Sequence, residues 1–372
     1  MLSSSINGGR KARIQLTMNA WHVYARYYNF GDHGLGIGVR NLFQRYFDRD
    51  LLFKLFDTHD LEFDRRLIRK MNSEADLLLV GGGGLIHELR GRWMFRMPDS
   101  LVREARAPIV VYGIGYNQFR GQPAVSGRVL KNIRSLQEKA LAFSVRNDGS
   151  REILSELGIA AEEVPDPGFF AGPIIPSPPL KGDYAVLQLA ADMKRQRGYR
   201  DDEFVPEMRG VMRYILGQGC RIVLAPHVKA DMELCRNVMS GMETDGAILW
   251  DLMRLLRDEH NLEGLSYYRH ARFVIGMRGH AQVFSIAAGV PVITIGNHRK
   301  HLDLLRKLRL PEDYYTEATD PDLGARLIGM IERLETERDS LCKLYRSRVS
   351  EMEDAAGQFI TRAANRMGQG NA

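Results

Sequence analysis

Short, unbroken apolar runs recur along the chain, each leading into glycines or a turn and then into a stretch with helical spacing. Leu77-Leu78-Leu79-Val80 leads into Gly81 to Gly84, and Ile109-Val110-Val111-Tyr112 leads into Gly113 and Gly115. Runs that are apolar at every position suit parallel strands buried on both faces, with helices covering them. Segments 35–48, 62–72, 126–140 and 148–157 supply the helical pattern. A second alternation follows, with strand patterns at 184–189, 221–225, 248–250, 273–276 and 292–295. From 322 to 367 the pattern is helical and charged, without strand signals, in a tail long enough to fold back across a domain boundary.

Between the two alternations the chain turns into Pro165-Asp166-Pro167-Gly168 and then Pro173, Pro176, Pro178 and Pro179. That proline density excludes helix and central strand, so this segment is the expected interdomain linker. The expected architecture is α/β, with two Rossmann-like domains facing across a cleft. The first spans 1–175, the second 181–320, and a helical tail occupies 321–372. A length of 372 residues agrees with two domains. In open parallel sheets ligands sit beyond the carboxyl ends of the strands, which directs attention to the strand-to-loop junctions.

Composition narrows the picture only slightly. With 44% hydrophobic and 26% charged residues the chain reads as an ordinary soluble protein. It holds no run of roughly 18 apolar residues that would span a membrane. Cys220, Cys235 and Cys342 are an odd number without CxxC spacing, as in a reduced cytoplasmic protein. A net charge of +6 favours anionic partners, but the basic residues are dispersed and no nucleic-acid motif appears. No metal ligand set and no nucleophile elbow is visible.

The strongest junction is Gly276-Met277-Arg278-Gly279-His280-Ala281-Gln282, where a strand end meets a helix start. Helix N–H groups and the dipole favour an anion there. Arg278 adds a fork suited to carboxylate or phosphate, and His280 a group that exchanges a proton near neutral pH. The blander alternative is an ion pair at Arg278 and a helix cap at His280. In the loop after the next strand, Asn297-His298-Arg299-Lys300, Lys300 offers a point charge for phosphate, or belongs to a solvated basic loop. Asn29-Phe30-Gly31-Asp32 precedes a helix, where Asp32 takes a substrate proton or serves as an N-cap. Gly81, Gly82, Gly83 and Gly84 let backbone approach a ligand, with His87 on the helix expected to follow; they lack the endings of a P-loop or dinucleotide site. Arg146, in Ser144-Val145-Arg146-Asn147-Asp148, is either a second anion anchor or the partner of a carboxylate such as Asp148 or Glu152. Ala225-Pro226-His227 ends another strand with a weaker claim to function.

In order and spacing, these segments resemble the polysaccharide pyruvyl transferase family, from about Asn29 to Lys300. The matching pieces are Asn29-Phe30-Gly31-Asp32, the four glycines, Ser144-Val145-Arg146 with Leu157-Gly158, Pro165-Asp166-Pro167, and Arg278-Gly279-His280-Ala281 with Gly289-Val290-Pro291 and Lys300. One departure is His298, where the family often has an aromatic residue. The resemblance implies a fold similar to GT-B glycosyltransferases, with the acceptor on the first domain and the donor on the second. It implies phosphoenolpyruvate as co-substrate, no further cofactor, and a pyruvate ketal formed on two hydroxyls of a sugar. The acceptor would belong to a cell-surface polysaccharide or its lipid-linked precursor, which is compatible with peripheral contact at the inner face of the membrane. By the same resemblance, Arg278, Arg146 and Lys300 bind the donor, His280 is the general acid, and Asp32 is a base or acceptor contact. The competing reading is a GT-B glycosyltransferase using a nucleotide sugar, for which Glu263 is a candidate to hold ribose.

Overall fold

The structure, a computed structural model, describes residues 17–26, 29–89, 92–93, 95–117, 122–172, 177–191, 198–242, 246–257, 263–296 and 299–369. Its first half alternates β1 (Thr17–Tyr24), α1 (Phe30–Tyr46), β2 (Asp50–Asp57), α2 (Arg65–Glu74) and β3 (Leu77–Gly81). A short hairpin, β4 (Glu88–Leu89) and β5 (Arg92–Trp93), leads to α3 (Asp99–Glu104). Then come β6 (Ile109–Ile114), α4 (Gly127–Lys139), β7 (Ala142–Arg146), α5 (Ser150–Glu156) and β8 (Glu162–Val164). These build a parallel six-stranded sheet in the order β2-β1-β3-β6-β7-β8. β3 and β6 are buried at every position, as their unbroken apolar runs require.

The second half holds β9 (Tyr184–Gln188), α6 (Asp201–Gly217), β10 (Arg221–Leu224), α7 (Lys229–Met239) and β11 (Ala247–Leu249). It continues with α8 (Leu252–Arg257), α9 (Glu263–Arg269), β12 (Val274–Gly276), α10 (Gly279–Ala288), β13 (Val292–Gly296), α11 (Arg299–Lys307) and β14 (Tyr315–Glu317). Its sheet is also six-stranded and parallel, in the order β11-β10-β9-β12-β13-β14. Two six-stranded parallel sheets with helices between the strands make the fold GT-B-like.

The last helix, α12 (Leu323–Gln369), ties the halves together. Its N-terminal part, Leu327 to Tyr345, joins the core of the second sheet, whereas Ala356, Phe359, Ile360 and Ala363 pack with Ala20, Leu79 and Tyr112 of the first. The linker segment is also held. Pro167–Phe170 forms one 3₁₀ turn whose Asp166 side chain caps Gly168 N–H at 2.8 Å, and Pro167, Gly168 and Phe169 are buried. Pro173 and Pro176 lie outside the described residues. The helix expected to carry His87 is replaced by the β4-β5 hairpin. Gly82 and Gly83 take positive φ, and Ile86 then bridges to Tyr116 as an extension of the sheet, so the chain leaves β3 extended.

Candidate active site

The strand orders locate the site. In the first sheet the chain places β2 on one side of β1 and β3 on the other; in the second it places β10 and β11 on one side of β9 and β12 on the other. Such reversals open a crevice at the carboxyl ends of the strands, where doubly wound sheets take ligands. Asn29 to Asp32 and Gly81 to Gly84 flank the first crevice. Gln188 and Met277-Arg278 flank the second, joined by Met277 N–H donating to Gln188 O (2.9 Å) and Arg278 N–H to Gln188 Oε1 (2.8 Å).

The two crevices face each other and touch. Phe30 crosses the boundary: its N–H donates to His227 O at 2.9 Å, and its ring packs edge-on against His227, Trp250 and Phe284. Behind it, a Cβ on Gly34 would stand 2.5 Å from the Phe284 ring, and one on Gly31 would overlap the His280 ring. Glycine at both positions lets the N-terminal turn of α1 lie directly on α10. Asn29 caps that turn, accepting from Gly31 N–H at 3.0 Å, and its Nδ2 donates to Asp32 Oδ2 at 2.8 Å. The N-cap is therefore Asn29, which leaves Asp32 inside the first turn with part of its surface open to the cleft.

On the opposite wall α10 starts at Gly279, with Arg278 at the N-cap and no side-chain cap. The Arg278 guanidinium grips Asp231 bidentately, Nε to Oδ2 and Nη2 to Oδ1, both 2.7 Å. Asp231 is fully buried and also accepts N–H groups from Ala191 (3.0 Å), His227 (3.1 Å) and Val228 (3.2 Å). The ion pair that was the alternative for Arg278 is thus present, and it fixes the arginine's orientation at the cleft. His280 lies in the first turn of α10 and is not its cap. Lys300, in the first turn of α11, spans the boundary, with Nζ 3.5 Å from Asn117 Oδ1 beyond β6. Asn297 and His298, which precede it, lie outside the described residues.

Arg146, at the end of β7, shows the carboxylate pairing. Its Nε donates to Asp148 (2.5 Å) and its Nη1 to Asp166 (3.3 Å), with the side chain only 5% exposed. Burial works against its charge, but the two carboxylates outweigh that and raise its pKa. Burial raises the Asp166 carboxyl, with Arg146 pulling the other way.

Electrostatics joins these groups into one site. Burial pushes the Asp32 carboxyl up to about 6, against the pull of Arg146, Lys300, His59 and Arg278. Burial drives His280 well below its ordinary pKa, and Arg146, Lys300, His227 and Arg278 add to the effect. The cations Arg146, Lys300 and Arg278 therefore act on both His280 and Asp32. Without a ligand His280 is neutral at pH 7, and Asp32 is mostly ionised but readily protonated. An incoming anion would offset the cations and raise both pKa values.

The glycines after β3 serve close approach within the protein. A Cβ on Gly84 would lie 2.7 Å from Asn117 Cβ, one on Gly82 3.1 Å from Leu35, and one on Gly83 3.9 Å from Asp32 Oδ1. His87 bonds Asn117 O through Nδ1 at 2.7 Å, a structural role. Glu263 pairs with Arg254. His227 is fully buried, with Nε2 2.7 Å from Tyr268 Oη. Asp231, Asp166, Gln188 and Asn117 were not legible as site residues, because their partners lie 19 to 183 positions away in the chain. Among the described residues no group of three or more His, Cys, Asp or Glu side chains is arranged to hold a metal ion, and no helix is long and apolar enough to cross a membrane.

Fold and site together define a GT-B-like protein whose cleft, between two Rossmann-like domains, gathers Arg278, Lys300, His280 and Asp32. The sequence model of the polysaccharide pyruvyl transferase family matches residues 29–299, and the chain belongs to that family. This makes it one of the pyruvyl transferases, and the family points to a pyruvyl donor and a polysaccharide acceptor. Solved structures agree on the fold. A protein described as a UDP-N-acetylglucosamine 2-epimerase from Listeria monocytogenes is similar at a TM-score of 0.56, with 14% identity over 94% of each chain. MnaA of S. aureus, in a co-structure with UDP, is similar at 0.53, with 11% identity over 94% of each chain. No curated protein matches the chain in sequence.

Proposed function

We propose that the protein transfers the pyruvyl group of phosphoenolpyruvate to two hydroxyls of one sugar unit, forming a pyruvate ketal in a cell-surface polysaccharide or its precursor. One arrangement carries the reading: Arg278 and Lys300 stand at the starts of two neighbouring helices on one wall, Arg146 ends a strand on the other, and the turn that holds Asp32 lies against the His280 ring. The donor bears a phosphate and a carboxylate, and this is a field that accepts both.

In this reading Arg278, aligned by Asp231, and Lys300 bind the donor's anionic groups, while Arg146 contributes charge from behind its carboxylates. Donor binding offsets the cations and lets His280 take a proton. A sugar hydroxyl then adds to C2: a C2–O bond forms, the C2=C3 pair takes a proton from His280 at C3, and the hydroxyl's proton passes to a base, for which Asp32 is placed. The C2–O bond to phosphate breaks with its electrons leaving on phosphate. The second hydroxyl closes on C2 and gives up its proton. The net change consumes one donor and two hydroxyls and yields one ketal and inorganic phosphate, with no change of oxidation state. The successive approach of two hydroxyls to one carbon requires a fixed sugar, so positioning supplies much of the rate.

The test is a thermal-shift comparison of phosphoenolpyruvate with nucleotide sugars, followed by a phosphate-release assay with sugar acceptors. A rise in melting temperature with phosphoenolpyruvate, and phosphate released only with a sugar present, supports the proposal. Stabilisation by a nucleotide sugar alone would replace it with glycosyl transfer. Work near the inner face of the membrane follows from a lipid-linked acceptor and belongs to the same proposal.

A further inference from the structure

A cavity of about 310 Å³ lies at the carboxyl ends of β1 and β2, lined by Tyr24, Arg26, Leu55, Phe56, Asp57, Asp60 and Leu61. The donor machinery described above uses none of these side chains. The cavity opens at the carboxyl end of β1, the strand that precedes the turn holding Asp32, and on its far side Asp57 Oδ1 lies 2.9 Å from His59 Nδ1. Arg26 marks the side toward the second domain, with Nη2 donating to Leu256 O at 3.1 Å. The cavity is therefore at the rim of the interdomain cleft, at the same carboxyl end of the first sheet as Asp32.

Its lining suits a neutral polyol better than an anion. Two carboxylates accept hydroxyl protons, one guanidinium donates to hydroxyl or ring oxygen, and Leu55, Phe56 and Leu61 offer apolar surface to C–H groups. Tyr24 gives a rigid wall. Its ring stacks on His22 at 4.6 Å, the Arg40 guanidinium lies 5.5 Å from its centroid, and a Cβ on Gly36 would stand 2.5 Å from it. The volume is at the lower end of small-molecule sites, roughly 300 Å³ upward, which fits a single sugar unit rather than a length of chain.

We infer that this cavity is the acceptor-sugar subsite, in which Asp57 and Asp60 hold hydroxyls of one sugar unit so that its reacting hydroxyls face Asp32. The inference rests on the pyruvyl-transfer reading for the role of the sugar, while the binding of a sugar there does not. Saturation-transfer NMR with the methyl glycosides of galactose, glucose, mannose, N-acetylglucosamine and N-acetylmannosamine tests it, on the full chain and on Asp60→Asn and Leu61→Trp. At least one glycoside is expected to receive saturation, with the signal falling at least fivefold in each variant that keeps the parent melting temperature. Absence of signal from every glycoside, or a signal untouched by both variants, overturns the inference. The melting-temperature rise with phosphoenolpyruvate is read on the same samples. Its absence from the parent protein while a glycoside binds would remove the pyruvyl-transfer reading and leave the sugar site standing.

Discussion

Arg146 and Arg278 occupy equivalent places, each at the carboxyl end of a parallel strand facing the cleft, yet their surroundings differ. Arg146 is buried between two carboxylates, Asp148 and Asp166, whereas Arg278 is gripped along one edge by Asp231 and stays 11% exposed. Asp231 is also supplied with three backbone N–H groups, so Arg278 is not its sole source of stabilisation. An arginine at a strand end is thus not in itself an anion anchor. The number of carboxylates around it decides whether it meets a ligand or supports the fold and the field.

Removing each arginine separates the two roles. Arg278→Ala is expected to abolish the melting-temperature rise with phosphoenolpyruvate and to cut donor-dependent phosphate release by about a thousandfold or more, from loss of a charge-assisted anchor. It should also destabilise the fold by about 1–2 kcal/mol, less than Arg146→Ala, because Asp231 loses its cation but keeps three backbone N–H donors. Denaturant melts report the second effect and ligand shifts the first. Arg146→Ala should act mainly on stability, costing about 3 kcal/mol at pH 7.5 and leaving donor affinity within about tenfold. That cost should shrink as pH falls toward 5. Burial already raises the Asp166 carboxyl and only Arg146 pulls it back, so without the arginine its penalty is present at high pH and relieved as it protonates. A reversed pattern, with donor binding lost in Arg146→Ala and kept in Arg278→Ala, would break the comparison.

Two smaller changes sharpen it at the contact between the walls. Gly31→Ala places a methyl group into the His280 ring and should lower kcat by about ten- to a hundredfold while the donor still raises the melting temperature. Asp32→Asn should stabilise the protein by about 1–2 kcal/mol above pH 6 even as turnover falls. The Asp32 carboxyl is raised to about 6 in the fold from an ordinary 3.8, so its ionisation opposes folding above that range. The gain from Asn should fade as pH falls from 6 toward 4, and a urea-melt series across that range reads it directly.

The parts of this arrangement that were legible in the sequence are those with local signatures. Unbroken apolar runs such as Leu77 to Val80 revealed the central strands, and the strand-to-helix step at Gly276 to Ala281 revealed Arg278 and His280. Strands β1 and β2 were not legible: Asn19 and His22 interrupt the first, and charged Asp50, Lys54 and Asp57 interrupt the second, an edge strand with partly exposed positions. The hairpin after Gly84 was hidden because glycines with positive φ turn the chain without encoding the type of the next element. The pairing of Arg278 with Asp231 spans 47 positions and that of Arg146 with Asp166 spans 20, distances at which no spacing rule applies. Asp231 lies in an ordinary-looking amphipathic helix, and only the fold brings Gln188, Ala191 and Arg278 around it as partners.

The central claim is that an anionic donor enters this cleft, offsets its cations and protonates His280. Calorimetric titration of phosphoenolpyruvate at pH 7.5, in two buffers of different ionisation enthalpy, tests it most directly. The account predicts, in Asp32→Asn, where the other group that an anion raises is removed, binding with uptake of about one proton, and binding of similar affinity without that uptake when His280→Ala is added. Absence of binding, or uptake undiminished by adding His280→Ala, would contradict it.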